Sequence, residues 1–320
     1  MDVLDDFQLT SVSGRIANNA VPGAVDLQAA PAQMRSLLGP LALLPGTWKG
    51  RGFNQIWRPF HGSQDRFLEL NETIETLQFD EIPGDIPNRG FLQDDVNLHG
   101  VRYLQQIQDA HVLGPNGKLA GIHIEPGLWI STPATSDPQD PPTVARLANI
   151  PHGTSLVAQG KGTPHDGGPE IKSVSITPFV IGDPKNLIQF DETKLNIPSK
   201  FRTPPADIPN VTQAMVDDPN SVLVKAIAGQ NIISTTGLKV STTPLNPPTT
   251  GGGTSNIAFL VGAADGPNAS AVQVESTFWL EIVREPNGAI KHQLQYTQLV
   301  LLNFNGLSWP HVTVATLVKQ

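Results

Sequence analysis

From residue 47 onward, apolar and polar residues alternate with a period of two, the mark of half-buried strands. TWKGRGFNQIW (47–57) reads as a strand with two glycines inside it, Gly50 and Gly52. In RFLELNETIETLQF (66–79), Phe67, Glu69, Asn71, Thr73, Glu75 and Leu77 share one side. Leu68, Leu70, Glu72, Ile74, Thr76 and Gln78 share the other. Strands are likewise predicted over 101–112, 119–131, 154–160 and 171–180, each bounded by Gly, Pro, Asn or Asp. Near the C-terminus, 271–283 and 289–304 flank Glu285-Pro286-Asn287-Gly288, a hairpin turn centred on Asn-Gly. A strand over 311–319 ends the chain. Many strands joined by short turns predict an all-β sandwich or barrel, and closure into a barrel removes the exposed edges.

Helical spacing is rare. Met34, Leu37, Leu38 and Leu41 recur at helical intervals, so a helix is expected over 26–38, stopped by Gly39-Pro40 and able to plug one end of a barrel. A second short helix fits 219–228, with Asp218 as cap and Gly229 as stop, although the same residues also suit a strand. The stretches 131–143, 183–220 and 241–256 are rich in Pro, Asp, Thr, Asn and Gly and read as long loops inserted between strands. Residues 1–25 read as a poorly ordered arm, and 26–320 as a single domain.

Composition narrows the function classes. Only 16% of the 320 residues are charged, and 29 Gly and 29 Pro fit a loop-rich β protein. A net charge of -8 with no Lys/Arg cluster argues against a nucleic-acid partner. There are no cysteines, hence no disulfide, thiolate nucleophile or zinc–thiolate site. The acidic start MDVLDDFQLT does not read as a signal peptide, and no run approaches the ~18 apolar residues of a membrane span. A cytoplasmic protein without a membrane partner is the expectation. The sequence leaves the oligomeric state open.

Several constellations could carry chemistry. The segment GTWKGRG (46–52) lacks the spacing of a phosphate loop, and its glycines suit a bend beside a buried Trp48, where the barrel wall is expected to open. Of eight histidines, His61, His111 and His165 sit beside turn-forming residues and read as loop positions. His311 begins the last strand and shares a face with Thr313, Ala315 and Leu317. A lone His on a barrel's inner face is either a polar strand-end residue or the axial ligand of a haem iron. His123 and Glu125 lie on one face of one strand, ~6.7 Å apart. With His152 they could form a two-His, one-carboxylate metal site, or His123 and Glu125 could simply satisfy one another. Asp94-Asp95 and Asp217-Asp218 sit in turn-like segments and suit caps better than an acid/base pair. Nucleophile-elbow, zincin, P-loop and EF-hand patterns are missing.

Three collinear segments resemble the nitrobindins, haem-binding β-barrels related in shape to fatty-acid-binding proteins. They are Gly46-Thr47-Trp48-Lys49-Gly50-Arg51-Gly52, His123-Ile124-Glu125-Pro126-Gly127, and the final strand opened by His311. The resemblance implies an antiparallel up-and-down barrel of about ten strands. It also implies ferric haem b with His311 as axial ligand and Thr47 near the haem edge, an open iron face that meets nitric oxide, and isomerisation of peroxynitrite to nitrate. The chain departs from that family in its length and its Pro-rich insertions. The alternative occupant is a hydrophobic small molecule carried without iron, as in a lipocalin-like barrel.

Overall fold

The computed structural model describes residues 37–61, 65–243, 251–263 and 266–320. Ten strands form the barrel: β1 (Gly46–Pro59), β2 (Arg66–Glu81), β3 (Val96–Leu113), β4 (Leu119–Thr132), β5 (Thr143–Ile150), β6 (Thr154–Asp166), β7 (Asn231–Ser241), β8 (Ser270–Arg284), β9 (Ile290–Phe304) and β10 (Leu307–Lys319). Each pairs antiparallel with the next, and β10 returns to β1 through Trp48↔Lys319 to Ile56↔His311. The expected up-and-down barrel is therefore closed, with ten strands. The turn after Glu285 is formed as read, with Gly288 at φ +84°.

Two strands of the barrel escaped the sequence pattern, and one expected strand is not in the wall. In β5, TVARLANI, the inward-facing Arg146 interrupts the apolar alternation. In β7, NIISTTGLKVS, adjacent isoleucines and Gly237 blur the period of two. Conversely, only Phe179–Val180 of the segment 171–180 pairs with another strand. Its apolar residues Ile171, Val174 and Ile176 pack against the outside of the barrel instead. His111 and His165, read as loop residues, lie within β3 and β6.

The wall does not open at GTWKGRG. That segment is the closing seam, hydrogen-bonded to β2 on one side and β10 on the other. A Cβ on Gly50 would stand 2.1 Å from the Thr316 carbonyl oxygen, and one on Gly52 would stand 2.2 Å from that of Val314. The glycines are needed because two backbones approach closely, not because they part.

Two apolar clusters result. The inner one closes one end of the barrel. Leu38, Leu41 and Leu44, around a 3-10 turn at Gly39–Leu41, pack with Trp48, Trp129, Phe278 and Leu317. Trp48 donates its indole N–H to the Leu44 carbonyl at 2.8 Å. The helix expected over 26–38 lies outside the described residues except for its last two, as does the arm 1–25.

The outer cluster joins Phe53, Trp57, Leu68, Leu70, Val312 and Val314 on the barrel's exterior to Ile176, Ile208, Val216 and Leu223. The last four belong to the segment linking β6 to β7, which covers this face. Two helices stand in it, α1 (Gln213–Asp217) and α2 (Ser221–Ile227). The second falls where the 219–228 helix is expected, and Gly229 follows it at φ +76°. Asp218 does not cap it as expected. Its carboxylate accepts the backbone N–H groups of Val174 and Asn220, tying two parts of the cover together. The part of 241–256 between 244 and 250 lies outside the described residues. A third short helix, α3 (Ala258–Val261), precedes β8. Among the described residues, no helix is long and apolar enough to cross a membrane.

Candidate functional site

The plugged end has a counterpart. At the other end the strands enclose a cavity of about 350 Å³, within the range of small-molecule sites. Its walls are mainly aliphatic: Ile56, Ile107, Ile122, Ile150, Val300 and Leu302, with Leu260 of α3 at the rim. Arg58 and Glu69, paired at 2.6 Å, stand among the lining residues. Asn54, Asn71, Gln105, Tyr296, Gln298 and Thr313 supply polar groups. Alternation places these side chains inside because neighbours at every second position along β1, β2 and β10 share one face.

Three histidines line this cavity: His123, His152 and His311. His311 keeps the expected face, since Thr313 also lines the cavity while Ala315 and Leu317 continue into the inner core. Its Nε2 lies 2.7 Å from Asn54 Oδ1. Burial lowers its pKa to about 3, helped by the nearby His123 and His152, so the imidazole is neutral at physiological pH. The ring centroids of His123 and His152 are 6.0 Å apart, and burial followed by the charge of His123 lowers the pKa of His152. Thr47 does not join them. It pairs with Gln78 near the plugged end of β1, nine residues from Ile56, the cross-strand partner of His311.

The proposed metal trio of His123, Glu125 and His152 is only partly assembled. His123 Nε2 is 3.3 Å from Glu125 Oε2, but Glu125 Oε1 is held by Arg146 and by the Tyr103 hydroxyl. Among the described residues, no group of three His, Cys, Asp or Glu side chains is arranged to hold a metal ion. The His123–Glu125 contact is the mutual satisfaction that the sequence also allowed.

Glu125 belongs to a polar layer in the barrel interior. Burial would raise its pKa, but the Arg146 guanidinium outweighs that and holds the carboxyl at about 2. Arg146 also donates to Ser276 and Gln298, each at 2.6 Å. Beside this pair, Glu75 accepts from Tyr296 at 2.6 Å and from Thr73 at 2.7 Å, and burial raises its pKa. Gly127 completes the motif by leaving room for the Tyr103 ring, whose atoms would lie 2.6 Å from a Cβ there.

Sequence reasoning missed Arg146, Tyr296, Gln298 and Asn54. The available signal was polar residues recurring at inward positions, which Asn71, Thr73 and Glu75 display on β2. Their partners depend on cross-strand register, which no local pattern encodes.

A closed ten-stranded barrel, plugged at one end and hollow at the other, is an architecture compatible with small-molecule binding. No protein-family model matches the chain, and no curated protein matches it. Among solved structures, the crystal structure of Rv2717c from M. tuberculosis aligns over 90% of this chain and 97% of that one, at 14% identity and a TM-score of 0.39.

Proposed function

We propose that the protein binds a small, largely apolar molecule in the mouth cavity, and that this occupant is ferric haem b held by His311. The observation that carries the reading is a neutral imidazole on the wall of an aliphatic cavity. Haem iron takes such a nitrogen as an axial ligand, and a chain without cysteine offers no competing thiolate. The donor and the apolar walls therefore fit the group. His311 would hold it, the isoleucines would exclude water, and His123 and His152 would offer further ring nitrogens to the same cavity. When bound, haem would supply an iron centre for small nitrogen or oxygen species. Isomerisation of peroxynitrite to nitrate is the activity that the nitrobindin resemblance suggests.

Hemin titrated into the purified protein should produce a shifted Soret band, and His311→Ala should lose it. Unchanged spectra in both proteins would remove haem from the proposal. A second reading, a haem-free carrier, draws support from cavity size: 350 Å³ lies near the lower end of the usual ~300–1,000 Å³ for ligand sites. Native mass spectrometry of the isolated protein separates the two. A co-purified organic mass without haem supports the carrier.

A further inference from the structure

His311 sits at the end of a hydrogen-bonded chain whose direction is fixed at its far end. Asp109, on β3, is buried and does not line the cavity. Its Oδ1 accepts the backbone N–H groups of His111 at 2.8 Å and Val112 at 2.9 Å. Its Oδ2 accepts the amide N–H of Asn71 at 2.8 Å. An ionised carboxylate can only accept, so Asn71 must turn its NH₂ group toward Asp109 and its oxygen away. That oxygen accepts from Asn54 Nδ2 at 2.9 Å. Asn54 is thereby oriented in turn, with Oδ1 facing β10. There it accepts the Thr313 hydroxyl at 2.9 Å and lies 2.7 Å from His311 Nε2. A bare Nε2 would oppose the lone pairs of Asn54 Oδ1, whereas a protonated one donates to them.

We infer that Asp109, acting through Asn71 and Asn54, fixes His311 as the tautomer protonated on Nε2. The single lone pair of the neutral ring is then on Nδ1. Among the described residues Nδ1 has no hydrogen-bond partner, and it is not one of the buried polar atoms sealed without one. The cavity occupant therefore meets a lone-pair donor, which selects a metal centre or a group bearing an N–H or O–H. A ligand that only accepts hydrogen bonds gains nothing from His311. Ligating histidines are commonly oriented by a carbonyl or carboxylate on the other ring nitrogen, and this chain supplies such an orienter from three residues away. Asp109 is a positioning residue: it acts on the imidazole without touching the occupant. The inference does not require the occupant to be haem.

Nitrogen-15 spectra of the imidazole rings, recorded on the full chain without added haem and assigned with His311→Ala, test it directly. The wild type should show His311 protonated on Nε2 and bare on Nδ1. A proton on Nδ1 would overturn the inference. In Asp109→Asn, the new NH₂ group lets Asn71 and Asn54 reverse, and the proton should move toward Nδ1. Adding Asn54→Asp to that variant should return it to Nε2, because a carboxylate at 54 accepts without help from the chain. A folded Asp109→Asn that keeps a pure Nε2–H pattern would assign the tautomer to something else. If Asp109→Asn does not fold, Asn71→Leu cuts the same chain. Mixed tautomers are then expected, and an unchanged pattern again removes Asp109 from the role. Because no haem is present, a failed hemin titration leaves this result standing, and the reverse also holds.

Discussion

Arg146 and Glu125 face one another inside the barrel, each almost wholly buried. Removing one partner strands the other's charge, which costs about 3–5 kcal/mol. Arg146→Met should therefore lower the urea midpoint sharply, and Arg146→Met with Glu125→Gln should recover much of the loss. The pair also sets an acid limit. The folded carboxyl titrates at about 2 against 4.5 unfolded, so its stabilisation is present above 4.5 and is lost as pH falls toward 2. Glu281 behaves in the opposite way. It is buried on β8, with Gln293 donating to one oxygen at 2.6 Å and the other oxygen unpaired. Burial raises its pKa to about 7. The folded state then holds a proton that the unfolded state releases above 4.5, so stability declines as pH rises from 4.5 to 7. Glu281→Gln should remove that decline and gain on the order of 3 kcal/mol at pH 8, measured by urea unfolding at pH 5 and pH 8.

At the scale of elements, β1 combines two demands. Its even positions present Trp48 to the plug and Asn54 and Ile56 to the cavity, while Phe53 and Trp57 serve the outer cluster. Between them, Gly50 and Gly52 let β10 come close. The glycine pattern was legible in the sequence, but its meaning was not, since the clash is with Thr316 and Val314, over 260 positions away in the chain. Gly52→Val should force β10 outward, at a cost of about 1–3 kcal/mol as overpacking. Amide exchange should then quicken along the β1–β10 seam and leave β3–β4 unchanged. Equal exchange in both places would mean that the seam tolerates the side chain. In β5 and β7, an inward Arg146 and a central Gly237 break the alternation that identifies a strand.

At the scale of the molecule, the barrel is apolar on part of both faces. The exterior patch on β1, β2 and β10 is covered by the chain between β6 and β7, which ties in through Leu68 N–H to the Phe201 carbonyl at 2.9 Å and Gln55 to the Met215 carbonyl at 2.8 Å. Within this layer Trp309 stacks on Phe190 and Phe304, and Trp57 meets Phe190 and Trp309 at a tilt, with centroids 4.6–5.5 Å apart. β6 and β7 are themselves paired, Asp166 opposite Ser234, so a short turn could replace residues 168–230. That deletion should leave the cavity residues in place and expose the outer patch. The expected result is self-association by size-exclusion chromatography, with far-ultraviolet β signal retained. A monomeric deletion variant would show that the cover is dispensable for solubility.

Local pattern was enough for the all-β class, most of the strands, the hairpin at Glu285 and the inward face of His311. Each of these follows from a period of two, a turn residue or the order of motifs, which are local. Tertiary structure decided the rest. It decided that 171–180 is cover rather than wall, that GTWKGRG is a seam, that Thr47 and His311 stand at opposite ends of the barrel, and that Glu125 answers to Arg146. It also decided the path from Asp109 to His311. These depend on register between strands and on closure of the sheet, and a one-residue slip in either would turn each of these side chains to the other face.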